Sequence, residues 1–310
     1  MPTHAVKVVI LLATFNGADY IAEQLASFAA QSYEDWELLV SDDGSSDGTI
    51  EIIREFAVGR PQRIKLVEGP RQGFWQNFLF LTRLAAESTG DLFAFSDQDD
   101  IWLPTKIQRA VDWFANEPSD VPRLYFTRTR LIGEHAESLG SSPLFKRKPS
   151  FQNALVQNIG GGNTMVLNRT AGSLLSATPR NVSLVAHDWW TYQMVTGAGG
   201  LAFYDPRPSV SYRQHGANLI GSNRGLRQRL TRLFAFTNSR VVQWNDTNIN
   251  ALNNMRDLLS TKNLDALDLF CEARRVSLPR KLYLLWKSGV YRQNAVETIG
   301  VYVGSMFHLI

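Results

Sequence analysis

The sequence predicts an α/β fold: a doubly wound, largely parallel sheet first, a mixed second half after it, and a helical C-terminal extension. Three observations predict it. Short apolar runs alternate with segments of helical period through residue 116, the rhythm that strand–helix units impose. Those runs end in polar or acidic turns, as strands do where they feed a ligand crevice. Beyond residue 116 the rhythm breaks, and from Gly225 onward only helical periodicity is left.

Lys7 to Ala13 is an unbroken apolar strand that turns through Thr14-Phe-Asn-Gly17 into a helix carrying Ile21, Leu25 and Phe28. Trp36 to Val40 is the second strand. It closes in Ser41-Asp-Asp-Gly-Ser-Ser-Asp-Gly-Thr49, where Asp47 or Thr49 is placed to cap the helix from Ile50 to Phe56. Arg63 to Val67 is the third strand, followed by a turn at Gly69 to Gly73 and a helix through Phe74, Phe78, Leu81 and Leu84. Asp91 to Ser96 is the fourth strand, and Asp97, Asp99 and Asp100 stand where it stops. Acids at that end of a strand are placed to hold a hard divalent cation and, through it, a phosphate.

In the second half, Arg123 to Ile132 alternates like a half-exposed strand, and Gly160-Gly-Gly162 is a turn entering another strand. Residues 187 to 196 read as a helix, and Leu201 to Tyr204 and Ser209 to Arg213 as two short strands. The extension has two basic amphipathic segments. One carries Leu226, Leu230, Leu233 and Phe234 beside Arg227, Arg229 and Arg232, and the other is Leu282 to Trp286 with Lys281, Lys287 and Arg292 around it.

Composition narrows the class. The chain is 44% hydrophobic and 20% charged, as globular proteins are. A lone Cys271 rules out an intramolecular disulfide framework and fits a reducing compartment. No run approaches the roughly 18 apolar residues of a membrane span, so a cytoplasmic protein, peripheral at most to the inner face of the cell membrane, is expected. The net charge of +3 hides a division: residues 1–223 hold 19 Lys+Arg against 23 Asp+Glu, and residues 224–310 hold 13 against 6. This puts a domain boundary at 223/224.

Several chemistries drop out. Asp43, Ser45, Asp47 and Gly48 imitate a calcium loop, but its twelfth position is Arg54 where a bidentate Glu is required. No Gly-x-x-x-x-Gly-Lys loop and no Gly-x-Ser-x-Gly elbow is present. Two further stretches add to the acidic strand end. His187-Asp-Trp-Trp190 opens a helix, placing Asp188 near the positive end of a dipole. Tyr212-Arg-Gln-His-Gly216 offers an imidazole and a guanidinium together, groups suited to a metal and to a diphosphate. Gly161, Gly162 and Asn163 suit a place where missing side chains let a ligand approach the backbone, or simply a tight strand-entry turn. Trp189 is grouped with them.

Read together, Thr14-Phe-Asn16, Asp42 to Thr49, Ser96-Asp-Gln-Asp-Asp-Ile-Trp102, His187-Asp-Trp-Trp190 and Tyr212-Arg-Gln-His-Gly216 resemble, in unbroken order, a family-2 glycosyltransferase of the GT-A fold. The pairing of Ser-Asp-Gln-Asp-Asp-x-Trp with Tyr-Arg-Gln-His-Gly is most similar to the rhamnosyltransferase branch. The resemblance implies a GT-A type, Rossmann-like mixed sheet flanked by helices, with residues 1–116 binding a nucleotide sugar and 117–223 the acceptor. It implies that Thr14, Asn16 and Asp43 line the nucleoside pocket, with Asp97 on the ribose or sugar side and Arg213 on the phosphates. It further implies that Asp99 holds Mg²⁺ or Mn²⁺ with His215 as a further metal or phosphate ligand, that Asp188 is the general base of an inverting transfer, and that Gly161, Gly162, Asn163 and Trp189 face the sugar acceptor.

Asp100 stands as an alternative to Asp99, and Gln24, Arg71 and Asn77 as residues bordering the donor or lying on their own surfaces. The expected partners are a dTDP-rhamnose donor and a growing glycan, free or lipid-linked, in bacterial surface polysaccharide synthesis. The basic tail is expected to meet a membrane or another subunit of a homo-oligomer, not nucleic acid. The rival readings are a UDP-hexose donor on the same fold and a non-catalytic nucleotide-sugar or glycan-binding module.

Overall fold

A computed structural model of the chain describes residues 5–118, 120–215, 239–307 and 309. The boundary at 223/224 and the amphipathic segment from Leu226 to Phe234 lie outside the described residues.

Strands β1 (Val8–Thr14), β2 (Trp36–Asp42), β3 (Ile64–Glu68) and β4 (Leu92–Ser96) are parallel, joined by α1 (Ile21–Ala29), α2 (Thr49–Ala57) and α3 (Phe74–Ala86). β1 and β4 are covered on both faces, which is why each reads as a solid apolar run instead of an alternation. The register sets Thr14 beside Asp42 and Leu12 beside Ser96, so the polar ends of three strands meet on one edge of the sheet.

The remaining strands are β5 (Ile101–Trp102), β6 (Arg123–Ile132), β7 (Ser138–Ser141), β8 (Val166–Asn168) and β9 (Leu201–Arg213). The order across the described sheet is β3-β2-β1-β4-β8-β6-β9-β5, with β7 on β6. Direction changes at β8, which runs antiparallel to both β4 and β6, and β9 lies parallel to β6. The mixed second half expected from the sequence is therefore present, carried with α4 (Lys106–Ala115), α5 (Phe151–Ala154), α6 (Arg169–Ser176) and α7 (His187–Gly197).

One expectation is corrected. The two strands at 201–204 and 209–213 are a single strand. Its pairing with β6 runs to Thr127↔Asp205 and resumes at Thr129↔Val210, so the intervening residues, including Pro206 and Pro208, bulge out of the ladder. Asp205 pins the bulge by accepting from Arg109, Arg207 and Tyr125.

Two apolar layers cover the sheet. On one face Ile21, Leu25, Phe28, Ile53, Ile107 and Phe114 pack beneath β1, β2 and β4. On the other, Phe78, Leu81, Leu175, Trp190 and Tyr192 join residues of the extension such as Leu252, Phe270 and Leu285 in one continuous cluster. α7 lies inside that cluster, and every residue of it except Asp188 is buried. Such a helix has no polar face, which explains why its sequence carries no amphipathic stripe.

The extension consists of α8 (Ser239–Asn253), α9 (Thr261–Arg275), α10 (Arg280–Ser288) and α11 (Ala295–Met306). It docks on the end of α7: Ser260 N–H donates to Gly197 O at 2.9 Å, and the Asn263 amide donates to Thr196 O at 2.8 Å and Gly197 O at 3.1 Å. Thr196 O also accepts from Gly199 N–H at 3.2 Å in the turn that ends α7, and the extension adds donors at a helix terminus, where carbonyls run out of intrahelical partners.

Candidate active site

A cavity of about 860 Å³ opens over the carboxyl ends of β1, β2 and β4. Thr14, Asp43, Asp97, Asp99, Gly161, Gly162, Asn163 and Asp188 all line it. Residues far apart in sequence thus meet at one place.

One side of the cavity is built from turns that hold one another. Asp42 accepts from Thr14 Oγ1 at 2.8 Å and from the amides of Gly44 and Ser45, closing the loop after β2. Asp43 accepts from the N–H groups of Arg71 (2.7 Å) and Gly73 (2.9 Å), which fixes the entry to α3. Asn16, with φ of 46°, braces the loop by accepting from Ser46 N–H at 2.9 Å; it is exposed and does not line the cavity. Phe15 does line it, with 56% of its surface exposed, and presents an aromatic face beside Asp43 and Arg71. Gln98 locks that segment in place, accepting from Phe15 N–H at 2.8 Å and donating to Phe15 O at 2.9 Å. A Cβ on Gly17 would stand 2.4 Å from the Gln98 amide, so a side chain there would displace that amide from Phe15. Of the bordering residues considered, Arg71 and Asn77 line the cavity, while Gln24 is wholly buried beneath it.

Among the acids, Asp99 and His215 are paired, Oδ2 to Nε2, at 2.7 Å. Asp100 turns the other way. It is fully buried, accepts from the Asn163 amide and from Arg213 N–H, and does not line the cavity. The guanidinium of Arg213 is 1% exposed and donates to Asp99 O (3.0 Å), Glu134 O (2.6 Å) and the Glu23 carboxylate (2.8 Å). It lies beneath the cavity and braces the backbone that carries Asp99, rather than reaching the phosphate side as expected. Trp189 likewise points elsewhere, donating to Ala154 O and meeting Trp244 edge-on.

Burial and like charge push Asp97 up to about 7, with Asp99 and Asp188 as the neighbouring anions and Lys106 opposing them. Lys106 is itself fully buried, its ammonium lying 3.3 Å from the centre of the Trp102 ring and donating to Asn163 O. Burial also raises Asp188, to about 6, against the stabilising hydrogen bonds it receives from Trp189 N–H, the Asn158 side chain and Gly162 N–H. A carboxyl held near 6 is still ionised at neutral pH and is a better proton acceptor than a free one. The glycines of the floor have packing reasons: a Cβ on Gly160 would meet the Phe126 ring at 2.5 Å, and one on Gly162 would meet His187 Nε2 at 2.2 Å.

Sequence reasoning missed Phe15, Gln98, Asn158, Lys106 and His187. Phe15 and Gln98 lay inside stretches already singled out, and an exposed aromatic in a strand-end turn was a readable signal. The roles of Asn158 and Lys106 come from contacts across 30 and 57 residues of chain and had no local signal.

The sheet switches direction beside a parallel half, with acids at the strand ends and a carboxylate across the cavity. Residues 9–169 match the model of glycosyl transferase family 2, and the chain belongs to that family. It is a glycosyltransferase. It is 29% identical over 234 residues to a dTDP-rhamnosyl transferase of Shigella flexneri, covering 72% of this chain and 78% of that protein. It is 32% identical over 103 residues to a UDP-Glc:α-D-GlcNAc-diphosphoundecaprenol β-1,3-glucosyltransferase of Escherichia coli, covering 33% and 38%. The fold matches residues 1–349 of S. aureus TarS in complex with UDP-GlcNAc, with a TM-score of 0.55 at 17% identity over 92% of this chain and 93% of that one. It also matches a mannosyltransferase of Pyrobaculum calidifontis in complex with GDP-Man and Mn²⁺, with a TM-score of 0.53 at 19% identity over 99% and 87%.

Proposed function

We propose that this chain is an inverting, metal-dependent transferase that moves rhamnose from dTDP-rhamnose to a growing glycan of the bacterial cell envelope, with Asp188 as general base. The observation that carries it is the placement of Asp188: the one residue of α7 that is not buried lines the same cavity as Asp97 and Asp99. The likeness to a dTDP-rhamnosyl transferase over most of both chains supports the sugar.

Phe15, Thr14 and Asp43 bound the end of the cavity that takes the nucleoside, the ring of Phe15 offering a face for the base. Asp97, half protonated near pH 7, can accept from or donate to a sugar hydroxyl. Asp99, which lines the cavity, and His215, hydrogen-bonded to it at 2.7 Å, offer a carboxylate and an imidazole that fit a divalent cation. Among the described residues no group of three or more His, Cys, Asp or Glu is placed to hold a metal ion; Mg²⁺ or Mn²⁺ would be held here by these two side chains together with the substrate phosphates. When bound, the cation supplies positive charge to the departing diphosphate.

The acceptor oxygen forms the new bond to the anomeric carbon as the bond from that carbon to the diphosphate breaks. Its proton passes to Asp188. Gly162 N–H and Trp189 N–H orient that carboxylate, and one displacement inverts the sugar with no covalent intermediate.

A UDP-hexose donor is the second reading, favoured by the glucosyltransferase relative. The test is mass detection of glycosylated product from a panel of dTDP- and UDP-sugars with glycan acceptors and Mg²⁺ or Mn²⁺. Product from dTDP-rhamnose that disappears with a chelator is expected. Product from UDP-hexoses alone reassigns the donor, and donor binding without any nucleoside diphosphate release makes the chain a binding module.

A further inference from the structure

Apolar side chains stand outward on the last two helices. α10 buries Leu284 and Leu285 and turns Tyr283 and Trp286 to solvent, the latter 69% exposed. α11 is held by Val301, Gly304 and Ser305, while Val296, Ile299 and Val303 are exposed, Ile299 at 62%, and Phe307 beyond its end at 68%. The spacing 296, 299, 303 repeats every three to four residues, so these side chains form one stripe along the helix. A helix on a protein surface ordinarily carries charges there. The one charged residue of α11, Glu297, is paired with Arg292 at 2.9 Å.

The exposed charges of α9 and α10 select the stripe's partner. Arg275, Arg280 and Lys287 are exposed on α9 and α10, and the nearby acid Glu272 is paired with Arg280. Cationic side chains next to Trp and Tyr on an otherwise apolar face match a bilayer interface, where aromatic rings sit at headgroup depth and Lys and Arg meet anionic headgroups. A protein partner would select against exposed Lys. α11 has 12 residues, about 18 Å of helix, against roughly 30 Å of hydrocarbon, and no described helix is long and apolar enough to cross a membrane.

We infer that α10 and α11 form a docking surface for anionic lipid, with Tyr283, Trp286, Val296, Ile299, Val303 and Phe307 entering the headgroup layer and Arg275 and Lys287 meeting its charge. This goes beyond the proposed reaction. It would hold the cavity at a membrane, where a lipid-borne glycan is within reach.

The test is co-sedimentation of the full chain with phosphatidylcholine vesicles, with and without phosphatidylglycerol, at low and high salt. Binding that needs phosphatidylglycerol and weakens with salt is expected. Arg275→Gln and Lys287→Gln should each weaken it about fivefold, and the double variant Ile299→Ser, Val303→Ser at least about tenfold. All these sites are exposed, so thermal melting and donor hydrolysis should stay as in the wild type. Equal binding to neutral vesicles, or none to either, overturns the inference. So does a soluble dimer dispersed by the double variant, which assigns the stripe to a second copy of the chain. Vesicle binding is read without donor, so failure of the proposed reaction leaves this result standing, and the converse.

Discussion

Replacing Asp188 by Asn separates the chemistry of that residue from its place in the fold. The amide oxygen can still accept from Trp189 N–H, a contact of 2.6 Å, so α7 should keep its start. The proton acceptor is gone. Loss of a general base removes roughly 10²- to 10⁴-fold in rate, which is about 3 to 5 kcal/mol of barrier. Stability should move the other way. Burial raises the Asp188 carboxyl to about 6 in the folded chain, above its unfolded value of about 4. A group raised on folding contributes stability that is complete below its unfolded pKa and is lost as pH rises through its folded pKa. At pH 7.5 the wild type therefore bears the cost of a buried anion and Asp188→Asn does not. Because Asp188 is half-buried, solvent screens part of this, and the variant should gain about 1 to 2 kcal/mol, an advantage that vanishes near pH 4. The assays are nucleoside diphosphate release with acceptor present, followed from pH 5 to 8, and denaturant unfolding at pH 7.5 and 4. Wild-type turnover should fall tenfold per unit below about pH 6. Asp188→Asn turning over at the wild-type rate, or keeping that acid limb in its residual activity, would refute the assignment.

Three other perturbations follow from the same geometry. Gly162→Ala should destabilise the fold by about 1 to 3 kcal/mol and slow transfer, because its Cβ would meet His187 Nε2, on a ring stacked 3.8 Å from Phe78 and unable to give way; a melt unchanged from wild type would contradict this. Gln98→Ala removes both hydrogen bonds to Phe15 and should raise KM for the donor about tenfold, leaving KM for the acceptor alone in steady-state kinetics. His187 is buried with neither ring nitrogen hydrogen-bonded among the described residues, and burial lowers it to about 3. A His depressed on folding contributes stability that is present above its unfolded pKa of about 6.5 and is lost as pH falls toward the folded value. His187→Leu should therefore unfold with a shallower acid dependence than wild type, by up to about 1.4 kcal/mol per pH unit between roughly pH 6 and 4, in denaturant titrations across that range.

The parallel half was legible because its signals are local. A strand buried on both faces must be apolar along its length, and β1 and β4 are. The second half was less so: Pro206 and Pro208 read as a break between two strands, because proline cannot donate to a ladder. The chain keeps a single strand by expelling them into a bulge that buried Asp205 secures with two arginines from different elements. The same limit governs the site. Ser-Asp-Gln-Asp-Asp announces a cluster of acids at a strand end, but their division of labour is decided by what each meets. Asn163 and the Arg213 amide draw Asp100 inward, His215 meets Asp99, and Asp97 lies close enough to Asp188 to feel its charge. Arg213 shows the cost of reading a residue by its chemistry alone. A guanidinium beside a suspected diphosphate site suggests a phosphate ligand, yet the folded chain brings Glu23 and two backbone carbonyls to it first. Its part is then to hold the backbone under Asp99 while a side chain that drew no attention, Gln98, holds the loop opposite.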